Sequence, residues 1–479
     1  MATTTIDQLP AAAGMSDAGE IPIWQGGQTL KATRLQALGR ALVRPHPVGN
    51  RNLWCQNGQS SATTLTAVQS YYQSTNLNGT WRQRFYLAND VWGLQGQWVN
   101  TSQDPGAGAG LGAETPPWQV SDLGGQLQVR AALECTIGAT SGLIIPFTFA
   151  GQATGAVDEG GILTSDPINV ALLKAASPFA YIRTWASYPS GKFLPLFKEQ
   201  FGGDGEGYVD NTDLTRIGSA GGFVTTASNL FGPVCLLGYT AAASPIVLGA
   251  LGDSILAGAK NRQVDGTTVG VATTTNDFSF LDYGNGLSTP MYALIKACHG
   301  GLLAQAEAQN LPSNNGRYFG RRRGMLNIST HVVLMLGTND INNGRTAVQL
   351  EGDITAIIAS LKLSGKSVIL CPLPPRTTSS DNWVTVSNQT KAATESVRVA
   401  FNDWVRSSGV SAGGADYILD PWALNYEVNA SHVPTVDGGF IAVNGVTNHV
   451  TWDGTHPAGA GNHGYADVPT ATFLAALTQ

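Results

Sequence analysis

Three short polar clusters carry the residue types of acyl transfer: Gly252-Asp253-Ser254, Gly337-Thr338-Asn339-Asp340 and Asp453-Gly454-Thr455-His456. That chemistry needs a nucleophile, a base to take its proton, a group to orient the base, and donors for the oxyanion. Ser254 supplies a hydroxyl and His456 an imidazole. Asp453 stands three residues before the histidine, so its carboxylate can fold back in a turn and accept from Nδ1, leaving Nε2 to face the serine. The expected oxyanion donors are the backbone N–H of Ser254, the Asn339 side-chain amide and a glycine N–H. Any one cluster is weak evidence, because Gly, Asp and Ser all favour turns. Asp253 and Asp340 read as braces for those turns rather than as acids.

Competing residues are present. Gly409-Val410-Ser411-Ala412-Gly413 satisfies the nucleophile-elbow pattern, and His299-Gly300-Gly301 echoes an oxyanion loop. An elbow must follow a strand and open a helix, whereas Ser411 follows an apolar helical pattern and precedes a strand-like run. Ser254 follows a strand. His449 and His463 flank His456, but neither has an aspartate three residues upstream. His299, His331 and His432 show no ligand spacing, so neither a metal nor another cofactor is expected.

Elements of two kinds must position these clusters. From about 245, short apolar runs alternate with helical spacing. Ile246 to Leu251 ends at Gly252, Val332 to Leu336 ends at Gly337, and Val368 to Cys371 and Tyr417 to Leu419 follow. Leu350, Ile354, Ile357, Ile358 and Leu361 recur at helical intervals, as do Val397, Ala400, Phe401, Trp404 and Val405. Alternating strands and helices predict a mostly parallel sheet with helices on both faces. Chemistry in such sheets sits at the carboxyl ends of strands, where the first two clusters fall.

Between 46 and 240 the pattern is that of strands. Leu127, Val129, Ala131, Leu133, Cys135 and Ile137 alternate with mostly polar neighbours, a period of two with one face in a core. Trp81 to Leu87, Leu143 to Phe149, Ile168 to Leu172 and Tyr181 to Tyr188 are further candidates, separated by turns, and an antiparallel sandwich is expected. Trp81, Trp92, Trp98 and Trp118 read as packing residues more readily than as sugar platforms. The Gly-Ala loop from Asp104 to Pro117 is expected to divide this region. The organisation is therefore a leader at 1–45, a β-sandwich at 46–240 and an α/β catalytic unit at 241–479.

Composition removes several alternatives. The 479 residues suit two or three domains. A net charge of -6 leaves no footprint for nucleic acid, and Arg321-Arg322-Arg323 reads as a solvated turn. Five scattered cysteines without a C-x-x-C pair suggest buried thiols. No basic residue precedes Lys31, so a signal peptide is not expected, and no apolar run approaches the ~18 residues of a membrane span.

In combination, Gly-Asp-Ser, Gly-Thr-Asn-Asp and Asp-Gly-Thr-His-Pro resemble the consensus blocks of the SGNH (GDSL) hydrolase superfamily, in order and spacing, from about 245 to the end. The resemblance implies a flavodoxin-like three-layer catalytic domain, with Ser254, Asp453 and His456 catalytic and Ser254, Gly301 and Asn339 at the oxyanion. Cys298-His299-Gly300-Gly301 departs from the usual second block, which leaves Gly301 and Gly300 as rival choices, Gly301 preferred. Arg82-Gln83-Arg84-Phe85 and Ser165-Asp166-Pro167 resemble the jelly-roll-like β domain found before such catalytic domains. Ile6 to Pro10 and Glu20 to Gly27 resemble leaders of phage tail and virion proteins, which implies docking on a particle.

The expected activity is ester hydrolysis through an acyl-serine, with O-acetyl groups of a polysaccharide as substrate. A general short-chain esterase or lipase is the alternative within enzymes, and a structural carbohydrate-binding virion protein with vestigial blocks is the alternative outside them. Oligomeric state stays open.

Overall fold

The computed structural model describes residues 20–25, 28–33, 46–47, 49–52, 78–100, 126–137, 140–158, 161–176, 178–187, 189, 197–198, 207–210, 212–215, 223, 229–233, 235–240, 246–258, 279–286, 290–298, 301–309, 326, 328–422, 438–440, 451, 453–458 and 470–477. Most of the leader, the Asp104 to Pro117 loop and residues His299, Gly300, His432, His449 and His463 lie outside them. Within the leader, Glu20–Gln25 and Gln28–Thr33 pair as an antiparallel hairpin.

The strands that build the two main sheets are β1 (Gly49–Asn52), β2 (Asn78–Leu87), β3 (Val91–Val99), β4 (Leu127–Ile137), β5 (Thr140–Pro146), β6 (Ile168–Leu172), β7 (Phe179–Ser187), β8 (Cys235–Tyr239), β9 (Val247–Gly252), β10 (Ala293–Lys296), β11 (His331–Met335), β12 (Ser367–Leu370) and β13 (Tyr417–Ile418). The helices that concern the site are α1 (Ser254–Ala257), α2 (Phe280–Asn285), α3 (Ala304–Gln309), α4 (Thr338–Asn342), α5 (Ala347–Leu363) and α6 (Glu395–Ser408).

The larger sheet runs β13-β12-β11-β9-β10-β1-β2-β7-β4-β5. From β13 to β1 every pairing is parallel, and from β1 to β5 every pairing is antiparallel. The parallel half needs apolar residues on both strand faces, since helices cover it. All of β9 is buried accordingly. On α5, Leu350, Ile354, Ile357, Ile358 and Leu361 turn inward as their spacing predicts, and Phe401 and Val405 do the same on α6. The start of α5 is fixed by a capping box in which Thr346 accepts from the Gln349 N–H.

The antiparallel half faces a second sheet with β3 at its centre, paired to β8, β6 and residues Ile162–Thr164. Leu127, Val129, Ala131, Leu133 and Cys135 of β4 enter the core between the sheets, as the alternation predicts. Trp98 fills its centre, edge-on to Phe147 and Phe149, and its indole N–H donates to Thr184 Oγ1 at 3.1 Å. Trp81 and Trp98 are thus packing residues.

The two regions read separately from the sequence share this one sheet. Strand β1 pairs β10 on one side and β2 on the other. Strand β10 also divides its side chains between two cores. Ala293 and Ile295 join the sandwich core together with Val247 of β9, while Leu294 joins the core beneath the helices. Lys174 adds a tie across the junction by donating to the carbonyls of Ala88 and Pro290.

Candidate active site

Strand β9 delivers the first cluster. A Cβ on Gly252 would lie 2.6 Å from Leu256 Cβ and 2.9 Å from the Met335 carbonyl, so the sharp exit from the sheet there requires glycine. Asp253 is the N-cap of the one-turn helix α1, accepting from the Ile255 N–H at 2.9 Å. Ser254 follows as the first helical residue, where backbone N–H groups have no intrahelical acceptor.

The third cluster meets it. Asp453 Oδ1 accepts from the backbone N–H groups of Thr455 and His456, both at 2.9 Å, closing the turn that the three-residue spacing predicts. Its Oδ2 lies 2.8 Å from His456 Nδ1, and His456 Nε2 lies 2.7 Å from Ser254 Oγ. With Nδ1–H donated to the carboxylate, Nε2 is left as the acceptor for the serine proton. Gly454, at φ +71°, passes so close to the Thr377 carbonyl that a Cβ would fall 1.6 Å from that oxygen.

The second cluster sits on α4, after β11. Asn339 Nδ2 donates long hydrogen bonds to Asp253 Oδ2 at 3.4 Å and to the Leu302 carbonyl at 3.3 Å. Gly301, the residue before Leu302, takes φ +81° and is exposed. The structure therefore brings the Asn339 amide, the Asp253 carboxylate and the Leu302 carbonyl together. Asp340 accepts from the Ala304 and Gln305 N–H groups at 2.9 and 3.0 Å, fixing the start of α3. Both aspartates make the backbone braces that the turn chemistry suggests. Ser411 lies apart, in the turn between α6 and β13. Among the described residues, no cluster of three or more His, Cys, Asp or Glu is arranged to hold a metal ion.

Burial pushes the Asp253 carboxyl up to about 6, against the partial relief of the Ile255 N–H. Burial raises Asp340 as well. A carboxyl whose folded pKa is raised favours folding below its unfolded pKa and loses that contribution as pH rises through the folded value. For Asp253 the window runs from 3.8 to about 6. Asp253→Asn removes the ionisation, so its stability relative to wild type should climb across this window by about 3 kcal/mol. Urea unfolding of both proteins at pH 4 and pH 7 measures the difference; a gap that stays constant would count against this account.

Behind α1 lies a buried ion pair that the sequence did not disclose. Lys296 Nζ sits 2.6 Å from Asp282 Oδ2 and donates to the Ala257 carbonyl at 2.8 Å. Asp282 Oδ2 also accepts from the N–H and hydroxyl of Ser279. Lys296 and Asp282 are 1% and 0% exposed, so removing either charge strands the other. Lys296→Met should therefore cost about 3–5 kcal/mol in urea unfolding, and Lys296→Met with Asp282→Leu should recover most of it. Equal instability of both variants would mean packing, not charge, decides.

Against known proteins, residues 320–420 match the OSK domain family. No curated protein matches the chain. Among solved structures, a GDSL-like lipase from Bacteroides thetaiotaomicron is similar at 13% identity, over 49% of this chain and 93% of that one, with a TM-score of 0.30. A member of the lipolytic protein G-D-S-L family from Veillonella parvula is similar at 16% identity, over 46% and 94%, with a TM-score of 0.30. An active-site mutant of a family two carbohydrate esterase from Clostridium thermocellum is similar at 12% identity, over 84% and 93%, with a TM-score of 0.31.

Sequence reasoning also missed the buttress of the histidine turn. The Thr377 N–H donates to the Gly454 carbonyl at 2.8 Å, and Trp383 Nε1 donates to Thr377 Oγ1 at 2.9 Å. Trp383 is held at φ +59°. Asp381 organises that loop, accepting from Ser379, Val384, Thr385 and Asn388. Thr377–Ser379 pairs with Gln389–Lys391 as a small antiparallel hairpin, and the loop between them carries no periodic signal.

Proposed function

We propose that the protein is a serine ester hydrolase that works through an acyl-Ser254 intermediate and removes O-acetyl groups from a polysaccharide. The unbroken chain from Ser254 Oγ through His456 to Asp453, with steps of 2.7 and 2.8 Å, carries this reading. As Ser254 Oγ attacks the ester carbonyl, its proton passes to His456 Nε2, and the imidazolium that forms is held by Asp453. Charge collects on the former carbonyl oxygen. The Ser254 and Gly301 N–H groups are its backbone donors, and the Asn339 amide turns toward it by giving up the 3.4 Å contact to Asp253. Collapse of the tetrahedral intermediate breaks the ester C–O bond, and His456 returns the proton to the leaving alcohol. Water then repeats the sequence on the acyl-enzyme and releases acetate.

The choice of substrate rests on broader features. Charged residues make up only 13% of the chain, so its polar surface is largely neutral, which suits hydroxyl-rich polymers. No helix among the described residues is long and apolar enough to cross a membrane. In this reading residues 241–479 carry the chemistry and the sandwich at 46–240 adds contact area for a long chain. A fluorophosphonate should label Ser254, as peptide mass spectrometry would show. Acetate release from acetylated glycans should far exceed release of palmitate from palmitoyl esters; the reverse preference would make the lipase reading the better one.

A further inference from the structure

Strand β12 leads through Pro372-Leu373-Pro374-Pro375 to Arg376, at the carboxyl end of the sheet where the candidate site lies. The backbone of Arg376 is fixed on both sides. Its carbonyl accepts from the Ala392 N–H at 3.0 Å, and the next N–H, of Thr377, binds the Gly454 carbonyl. Thr377 turns its side chain inward to Trp383. In extended chain the neighbouring side chain takes the opposite face. For Arg376 that is the side of Asp453, whose charge acts on the guanidinium.

The guanidinium is partly buried there, and its Nη1 is shut off from solvent without an acceptor. Several other arginines in the described residues have a carboxylate partner. Arg82 and Arg183 share Glu134, Arg130 meets Asp213, Arg345 meets Asp353, Arg398 meets Glu395 and Arg406 meets Asp420. Asp453 makes no such ion pair with Arg376; its oxygens accept from His456 Nδ1 and from the Thr455 and His456 N–H groups. Withdrawing a guanidinium from water without a partner is costly, and burial accordingly pushes the Arg376 pKa down. An anion at the part of the guanidinium that stays open to solvent would offset that cost, and a planar fork of donors beside the Asp453–His456 turn fits a carboxylate.

We propose that Arg376 is a specificity-determining residue that receives a carboxylate of the substrate, so that the preferred ester is an O-acetyl group on an acidic sugar polymer. This rests on the ester-hydrolase reading of Ser254, His456 and Asp453, and it adds a charge requirement to that reading.

The test compares the full-length protein with Arg376→Gln and Arg376→Lys on an O-acetylated polyuronate and on an O-acetylated neutral polysaccharide. Wild type should favour the acidic polymer in kcat/KM. Arg376→Gln should lower the acidic-to-neutral ratio at least tenfold, mainly through KM, and Arg376→Lys should regain part of it. Free uronic acid should inhibit wild type more strongly than the Gln variant. An unchanged ratio, or a wild-type preference for the neutral polymer, overturns the proposal. So does an equal loss on both polymers accompanied by a displaced pH–rate limb, which would make Arg376 a positioning residue acting through Asp453. If the Gln variant does not fold, the ratio measured with Arg376→Lys and the uronic acid inhibition of wild type decide. Failure of the underlying reading is separately visible, because wild type would then release no acetate from either polymer and would escape the fluorophosphonate.

Discussion

Ser254→Ala should lose roughly six orders of magnitude in kcat while unfolding in urea at nearly the wild-type midpoint. The size of the loss follows from the geometry. Ser254 Oγ is the atom that faces His456 Nε2, and an alanine methyl offers neither a lone pair to the ester carbonyl nor a proton to the base. His456 and Asp453 would keep their mutual hydrogen bond and have nothing to activate. Stability should change little because the side chain is partly exposed, and the cap of α1 belongs to Asp253 and not to the serine. The residual rate would come from the oxyanion donors alone, by their hold on substrate and developing charge. Kinetics on an acetyl ester, with fluorophosphonate labelling and urea unfolding on the same preparation, measure all three quantities. Retained turnover in this variant, together with its loss in Ser411→Ala, would transfer the nucleophile to the turn after α6.

The residues of the candidate site were legible because each one obeys a local rule. Ser254 and Asn339 lie in the first turns of helices that follow strands, and Asp453 lies within one turn of His456. The alternation at Leu127 to Ile137 exposed a strand for the same reason, since neighbours along the chain settle which face each side chain takes. What stayed hidden depends on partners distant in sequence. Strand β10 is four residues long and has no alternation of polarity, because Ala293 and Ile295 enter one core and Leu294 another. Lys296 at its end takes its meaning from Asp282, fourteen residues away, which the fold brings to it. Strand β3 interrupts its pattern with glycines at 93 and 96. Gly96 makes room for the Trp98 ring, and a Cβ there would lie 2.5 Å from it. Arg376 follows a proline-rich exit from β12 by the rule that exposed Ser254, but an isolated arginine names no reaction until its lack of an acceptor is seen.

A chain beginning at residue 241 should not fold into an active domain, although the division into a sandwich and an α/β unit invites that truncation. The cut removes β1, which pairs with β10 along Leu294, Ile295 and Lys296. Strand β10 would then become a sheet edge with its backbone donors and acceptors open to other chains. The cut also uncovers Val247, Ala293 and Ile295, which are 0%, 0% and 1% exposed and lie in the sandwich core. At about 1.5–3 kcal/mol for each Val or Ile side chain returned to water, with a smaller term for Ala293, the loss is several kcal/mol. That is a large share of the 5–15 kcal/mol by which a typical protein is stable. Lys174 would go as well, and with it the donor to the Pro290 carbonyl just before β10. The fragment should be insoluble or lack a cooperative unfolding transition. Gel filtration, near-ultraviolet circular dichroism and acetyl-ester turnover check this directly. A monodisperse fragment that unfolds cooperatively and keeps wild-type turnover would show that the shared strand and core are dispensable. Charging the shared core in the full-length protein offers a gentler version of the same test. Ile295→Asp leaves β1 in place but buries a carboxylate beside Val247, and it should weaken the sandwich and the active half together in one unfolding transition. Two separate transitions, with turnover lost only in one, would instead mark the halves as independent.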